Sequence, residues 1–244
     1  MARKKILALH GVAQSGPVFV ERRIPTIIAT LEPLGYDFIH LTGLCDIAGT
    51  PYMVSRQHDY QEGDAERSWW WTDDENQRHT GIEDAMELWG KALHEHGPIA
   101  GVIGFSQGGC AAASIAAMLE PSRRDHPPVK KYMPSWHPPL EFLIMFSGNP
   151  YRYPDATVHW LFFEEGGKDN VIQTRTLAFY GQKEWDRVQS QRERQQWFLT
   201  RLADVKVVGH PWKHTVPRTQ EYADIVKDFV VEGRNASQKL EARL

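Results

Sequence analysis

The chain is 244 residues long, 41% hydrophobic and 24% charged, with a formal net charge of −3 at neutral pH. That length fits one domain, and the balance supplies a full core without disulfides or structural metals. No basic block or long acidic tract occurs, which argues against a nucleic-acid partner or an anionic membrane surface. The two cysteines, Cys45 and Cys110, are far apart and lack metal-ligand spacing. A reduced, cytoplasmic protein with no metal and no cofactor is expected.

The chain opens on "MARKKILALHG". Its apolar run is too short for a signal peptide's core or a membrane span, so "ILAL" (6–9) reads as a first buried strand. Similar runs recur at 36–41, 99–105, 140–146, 176–181 and 205–210. They lack polar alternation, as strands buried on both faces do. Between them, Ile82, Ala85, Met86, Leu88, Trp89, Ala92 and Leu93 make a helical stripe that stops at Gly97. "SQGGCAAASIAAMLEP" is small and apolar all round and reads as a buried helix; "SQRERQQWFLTRL" and "RTQEYADIVKDFVVEG" are amphipathic. Strands alternating with helices predict a three-layer α/β domain with a mostly parallel sheet. The expected domain spans 1–244, with its core over about 5–231 and a polar tail over 232–244. Residues 44–80 and 120–139 break the rhythm; 44–80 is expected to be a lid or binding loop.

Within "VIGFSQGG", Ser106 is boxed by Gly104 and Gly108 between a strand and a small-residue helix. This is the context of a nucleophile elbow, in which both glycines let strand and helix backbones pass closely. A serine hydroxyl needs a base, and in such folds the chain order is nucleophile, acid, histidine. His214 in "GHPWKHTVP" is the favoured base, with His210 as rival. The acid is expected after the run at 176–181, where Asp186 is favoured over Glu184; Asp169 lacks a strand just before it. The expected oxyanion donors are the backbone N–H groups of Val12 and Gln107, with Gly11 allowing close approach. His10 reads as a structural residue that orients the first loop. The tryptophans of "WWWTDD" would overhang the strand ends, so Trp70, Trp71 and Trp212 are expected to wall an acyl site.

"LALHGVAQSGPVF", "RSWWW", "GPIAGVIGFSQGG", "IMFSGNP", "TLAFYGQKEWDRV" and "HPWKHTVP" occur in this order over roughly residues 5–230. In that set the chain resembles the FSH family of serine hydrolases, an α/β-hydrolase group widespread in fungi. The resemblance implies Ser106 as nucleophile, Asp186 as acid and His214 as base, acting on acyl esters or thioesters, including polyketides or other chains held on a carrier. It implies no oligomeric state. Where the family has two glycines before its histidine, this chain has Trp212 and Lys213. An acyltransferase or cyclase on the same scaffold, and a binding protein that has lost turnover, are the alternative functions.

Overall fold

The six apolar runs become six parallel strands. The computed structural model describes residues 2–50, 53, 67–163, 171–185 and 189–241, with 236–241 as backbone alone. The strands are β1 (Lys4–Leu9), β2 (Tyr36–Leu41), β3 (Ile99–Phe105), β4 (Phe142–Phe146), β5 (Thr176–Gly181) and β6 (Val205–His210). They lie in the order β6-β5-β4-β3-β1-β2, every pair parallel. Parallel neighbours need crossovers, and the helices supply them. They include α1 (Pro25–Leu31), α2 (Ile82–His96), α3 (Gln107–Leu119), α4 (Gln182–Trp185), α5 (Gln189–Leu199) and α6 (Gln220–Glu241), with a short turn of helix at His159–Phe162 between β4 and β5.

Side chains of a strand point alternately to opposite faces, so each apolar run feeds two cores. Leu7, Leu9, Val102, Leu143, Met145, Ala178 and Tyr180 pack with Trp89 of α2 and the whole of α3. Ile6, Ala8, Ile103, Phe105, Ile144, Phe146, Leu177 and Phe179 pack with Ile27 and Leu31 of α1 and Val226 and Phe229 of α6. Both faces are covered, which is why the runs show no polar alternation. The α2 stripe is buried at Ile82, Ala85, Met86, Trp89, Ala92 and Leu93, and the helix ends one residue before Gly97. Helix α3 is buried along its length from Gly108, because alanine and glycine let it lie close to β3 and β4.

Two segments depart from expectation. Between 44 and 80, the chain forms two short antiparallel ladders, Cys45–Asp46 with Arg67–Ser68 and Trp71–Asp73 with Arg78–Thr80. Backbone pairing thus gives order where the side-chain pattern shows no period. The polar stretch expected as a tail from 232 instead continues α6 to Glu241. Its Ala, Gln, Lys, Leu and Glu residues are strong helix formers and no proline stops it. No helix among the described residues is long and apolar enough to cross a membrane.

Chain order reverses between β1 and β3, since β2 leaves β1 on one side and β4 follows β3 on the other. Helices diverge at such a point and leave a crevice at the carboxyl ends of the strands. Ser106 and the 10–13 loop both stand there.

Candidate active site

Ser106 joins β3 to α3 with φ 56° and ψ −118°. A non-glycine residue at positive φ costs about 1–3 kcal/mol, which surrounding structure must offset. Two glycines make room for the turn. A Cβ on Gly104 would lie 2.0 Å from the Gly108 carbonyl oxygen, and one on Gly108 would lie 2.2 Å from that of Leu9. The corner is tied to the sheet by the Ser106 N–H, which donates to Phe146 O at 2.8 Å.

His214 lies in the loop after β6. Its Nε2 is 2.8 Å from Ser106 Oγ, and its Nδ1 is 2.8 Å from Glu184 Oε1. The ring rests on Phe105, with centroids 5.0 Å apart. Glu184 sits in α4 directly after β5, and its side chain is 6% exposed. From α5, Gln195 Nε2 donates to Glu184 Oε1 at 3.5 Å, while Trp185 Nε1 donates to Gln195 Oε1. The loops that carry Glu184 and His214 meet at Gly181, where a Cβ would fall 2.3 Å from the Lys213 carbonyl oxygen and 2.5 Å from that of Trp212. Burial, and then the nearby Glu184 charge, holds the Tyr180 phenol well above its usual range. It stays a neutral donor to Gly148 O at 3.0 Å.

Of the candidate acids, Glu184 is the one that stands at the His214 Nδ1. An imidazole Nδ1 has one in-plane hydrogen-bond position, and Glu184 takes it; Asp186 and Asp169 lie outside the described residues. His214 stands where the base was expected. His210, the rival, is fully buried against Trp212 and Tyr222, and burial lowers its pKa. It is a packing residue.

The first loop crosses directly over the serine. A Cβ on Gly11 would lie 2.8 Å from the Phe105 ring and 3.3 Å from Ser106 Cβ. His10 is fully buried and stacks on Trp69 with centroids 4.8 Å apart. Burial pushes its pKa down to about 4, so the ring is neutral at pH 7. Gly43 N–H donates to His10 Nε2 at 2.9 Å, which leaves the proton on Nδ1, 2.6 Å from Gly11 O. In a trans peptide the C=O and N–H point oppositely. Holding Gly11 O against His10 thus turns the Val12 N–H away from that ring. Gln107 opens α3, so its N–H lies beyond the intrahelical ladder.

The tryptophans expected to wall an acyl site have different surroundings. Trp69 is buried, and Trp70 is 4% exposed, packed on Tyr151 with centroids 4.7 Å apart. Trp70 is core. Trp71 begins the second ladder and is partly exposed. Trp212, 38% exposed, leans on Tyr222 of α6, with the core on the other face of the sheet. Trp69 and Trp70 thus share one core, while Trp71 and Trp212 stay partly exposed. Among the described residues no group of three His, Cys, Asp or Glu side chains converges as metal ligands do. The sequence reading also missed the Gln107 side chain; its place one residue after the serine was the available signal.

Known proteins bear on this arrangement in three ways. The chain is 25% identical over 242 residues to a Schizosaccharomyces pombe protein named dihydrofolate reductase, matching 93% of this chain and 46% of that one. It is 25% identical to the Danio rerio esterase OVCA2, over 93% of this chain and 96% of that one. It spans about half the length of the first curated relatives it matches. Zea mays acyl-protein thioesterase 2 shares the α/β-hydrolase fold, with a TM-score of 0.58 at 16% identity over 94% of this chain and 95% of that one. The family model "Serine hydrolase (FSH1)" matches residues 1–226. By that match, over a strand–Ser106–helix corner facing His214, the chain belongs to the FSH1 family of serine hydrolases.

Proposed function

We propose that the protein cleaves carboxylic-ester or thioester bonds of acyl substrates through an acyl-enzyme on Ser106. The reading rests above all on the 2.8 Å and 2.8 Å contacts that run from Ser106 through His214 to Glu184. The Ser106 hydroxyl donates to His214 Nε2, which takes the proton as oxygen attacks the carbonyl carbon. Glu184 accepts from Nδ1–H, fixes the tautomer and stabilises the imidazolium that forms. The negative charge on the carbonyl oxygen falls to the N–H groups of Val12 and Gln107. His214 then returns its proton to the departing alcohol or thiol, and water repeats the sequence to free the acid. Small acyl esters and chains held as thioesters on a carrier both suit this chemistry.

Replacing Ser106 with alanine tests the reading. Hydrolysis of p-nitrophenyl acyl esters is expected to fall by at least about 10³-fold, and labelling by a fluorophosphonate probe to vanish. Activity within tenfold of the parent would end it. Addition of alcohols or amines separates hydrolysis from acyl transfer by its products.

A further inference from the structure

The two oxyanion donors belong to different loops, one after β1 and one after β3, and a third piece of chain touches both. The Gln107 side chain reads the backbone of this piece as a strand partner would. Its Oε1 accepts from Trp69 N–H at 2.9 Å, and its Nε2 donates to Trp70 O at 2.8 Å. The same piece grips the first loop on both sides of Val12. Trp69 Nε1 donates to His10 O at 2.8 Å, and Ala13 N–H donates to Arg67 O at 2.8 Å. It is fixed from behind as well, since a Cβ on Gly43 would fall 2.3 Å from the Ser68 carbonyl oxygen. Ser68, Trp69 and Trp70 are all buried.

We infer that Arg67–Trp70 is a spacer that sets the separation of the Val12 and Gln107 N–H groups. The Gln107 side chain and the Trp69 indole are its positioning residues. The inference rests on the hydrolase reading above. Neither side chain touches substrate. Each acts by holding a donor at the distance the tetrahedral oxyanion needs, about 2.7–3.1 Å. Buried polar groups so placed are costly to leave unpaired, which makes the spacing stiff.

Gln107→Met keeps the backbone N–H and side-chain length but removes both side-chain hydrogen bonds. Trp69→Phe keeps an aromatic ring against His10 but removes the indole donor. The assays are kcat and KM for p-nitrophenyl butyrate and the inhibition constant of phenylboronic acid, whose tetrahedral serine adduct places an oxygen in the hole. Each variant is expected to lose about 10- to 100-fold in kcat with KM within threefold, and boronate affinity should fall in parallel. Gln107→Glu keeps the acceptor for Trp69 N–H and should recover part of the loss. The double variant should cost less than the product of the singles, because both act through one segment. Folded variants with kcat and boronate affinity within twofold of the parent would overturn the inference, as would a loss confined to KM. Should Trp69→Phe not fold, Gln107→Met decides alone. If Ser106→Ala retains activity, the hydrolase reading fails and the spacer with it; if Ser106→Ala is dead while the spacer variants are normal, only the spacer fails.

Discussion

Ser106 and Glu184 each stand within three residues of the end of a parallel strand, yet they are held by different means. Ser106 is held by backbone. Its φ of 56° is made possible by Gly104 and Gly108, all within five residues of one another. Glu184 is held by side chains and distant loops: Gln195 from α5, His214 from beyond β6, and the close passage of Lys213 at Gly181. A corner made of local backbone leaves a spacing pattern in the chain. A carboxylate buried by packing leaves none.

The strongest test of that contrast exchanges the two candidate acids. Glu184→Gln should lower kcat by about 10³–10⁴-fold, since an amide holds the imidazole in the wrong tautomer. Asp186→Asn should stay within about threefold. Equal losses would mean that the acid corner is shared between two carboxylates and is less defined than the serine corner.

Acid should weaken the nucleophile side through His10. Its pKa is about 4 when folded and about 6.5 in an unfolded chain. Between those values the unfolded state binds a proton that the folded state refuses, so stability is full above pH 6.5 and declines down to about pH 4. The expected loss is about 3 kcal/mol. Burial lowers the pKa of His79, His137 and His210 as well, and these act in the same direction. Urea unfolding across this range should show His10→Gln with a slope shallower by one proton's worth. An unchanged slope would place the protonation elsewhere.

Alanine at two glycines separates the corners directly. In Gly108→Ala the new Cβ meets the β1 carbonyl of Leu9, and in Gly181→Ala it meets the Lys213 carbonyl in a loop. Overpacking of this kind costs about 1–3 kcal/mol. The contact of α3 with β1 lies over the centre of the sheet and should sit at the upper end, seen as the larger fall in melting temperature. Gly181→Ala should instead move the base loop and lose more activity than stability. The reverse ranking would show that the acid corner is the stiffer of the two.

The smallest effect concerns Trp212, 38% exposed and two residues before His214. Activity should rise from acetyl to short or medium linear acyl esters, each buried methylene adding about 0.8 kcal/mol, and then drop. Trp212→Gly should move that limit to longer or wider acyl groups and leave acetyl ester turnover within about twofold. Identical chain-length profiles would show that the ring serves only its packing on Tyr222.

The six strands, the buried α3 helix, the serine corner and the place of His214 beside it were legible in the sequence. Each is written in neighbouring residues: continuous apolar runs, a small-residue helix, glycines at fixed spacing, a histidine just past the last strand. Three features were decided only in the folded chain. Glu184 and Asp186 are two positions apart and chemically alike, and only the approach of the base loop at Gly181 gives one of them to His214. The tryptophans at 69–71 read as one apolar block, but hydrogen bonds to His10 and Gln107 bury Trp69 and Trp70 and leave Trp71 at the edge. The tie between Gln107 and a segment 37 or 38 residues away follows no periodicity at all. Local pattern reports which side chains avoid water; which polar partner each buried group finds depends on distant strands meeting, and that is fixed only when the sheet has formed.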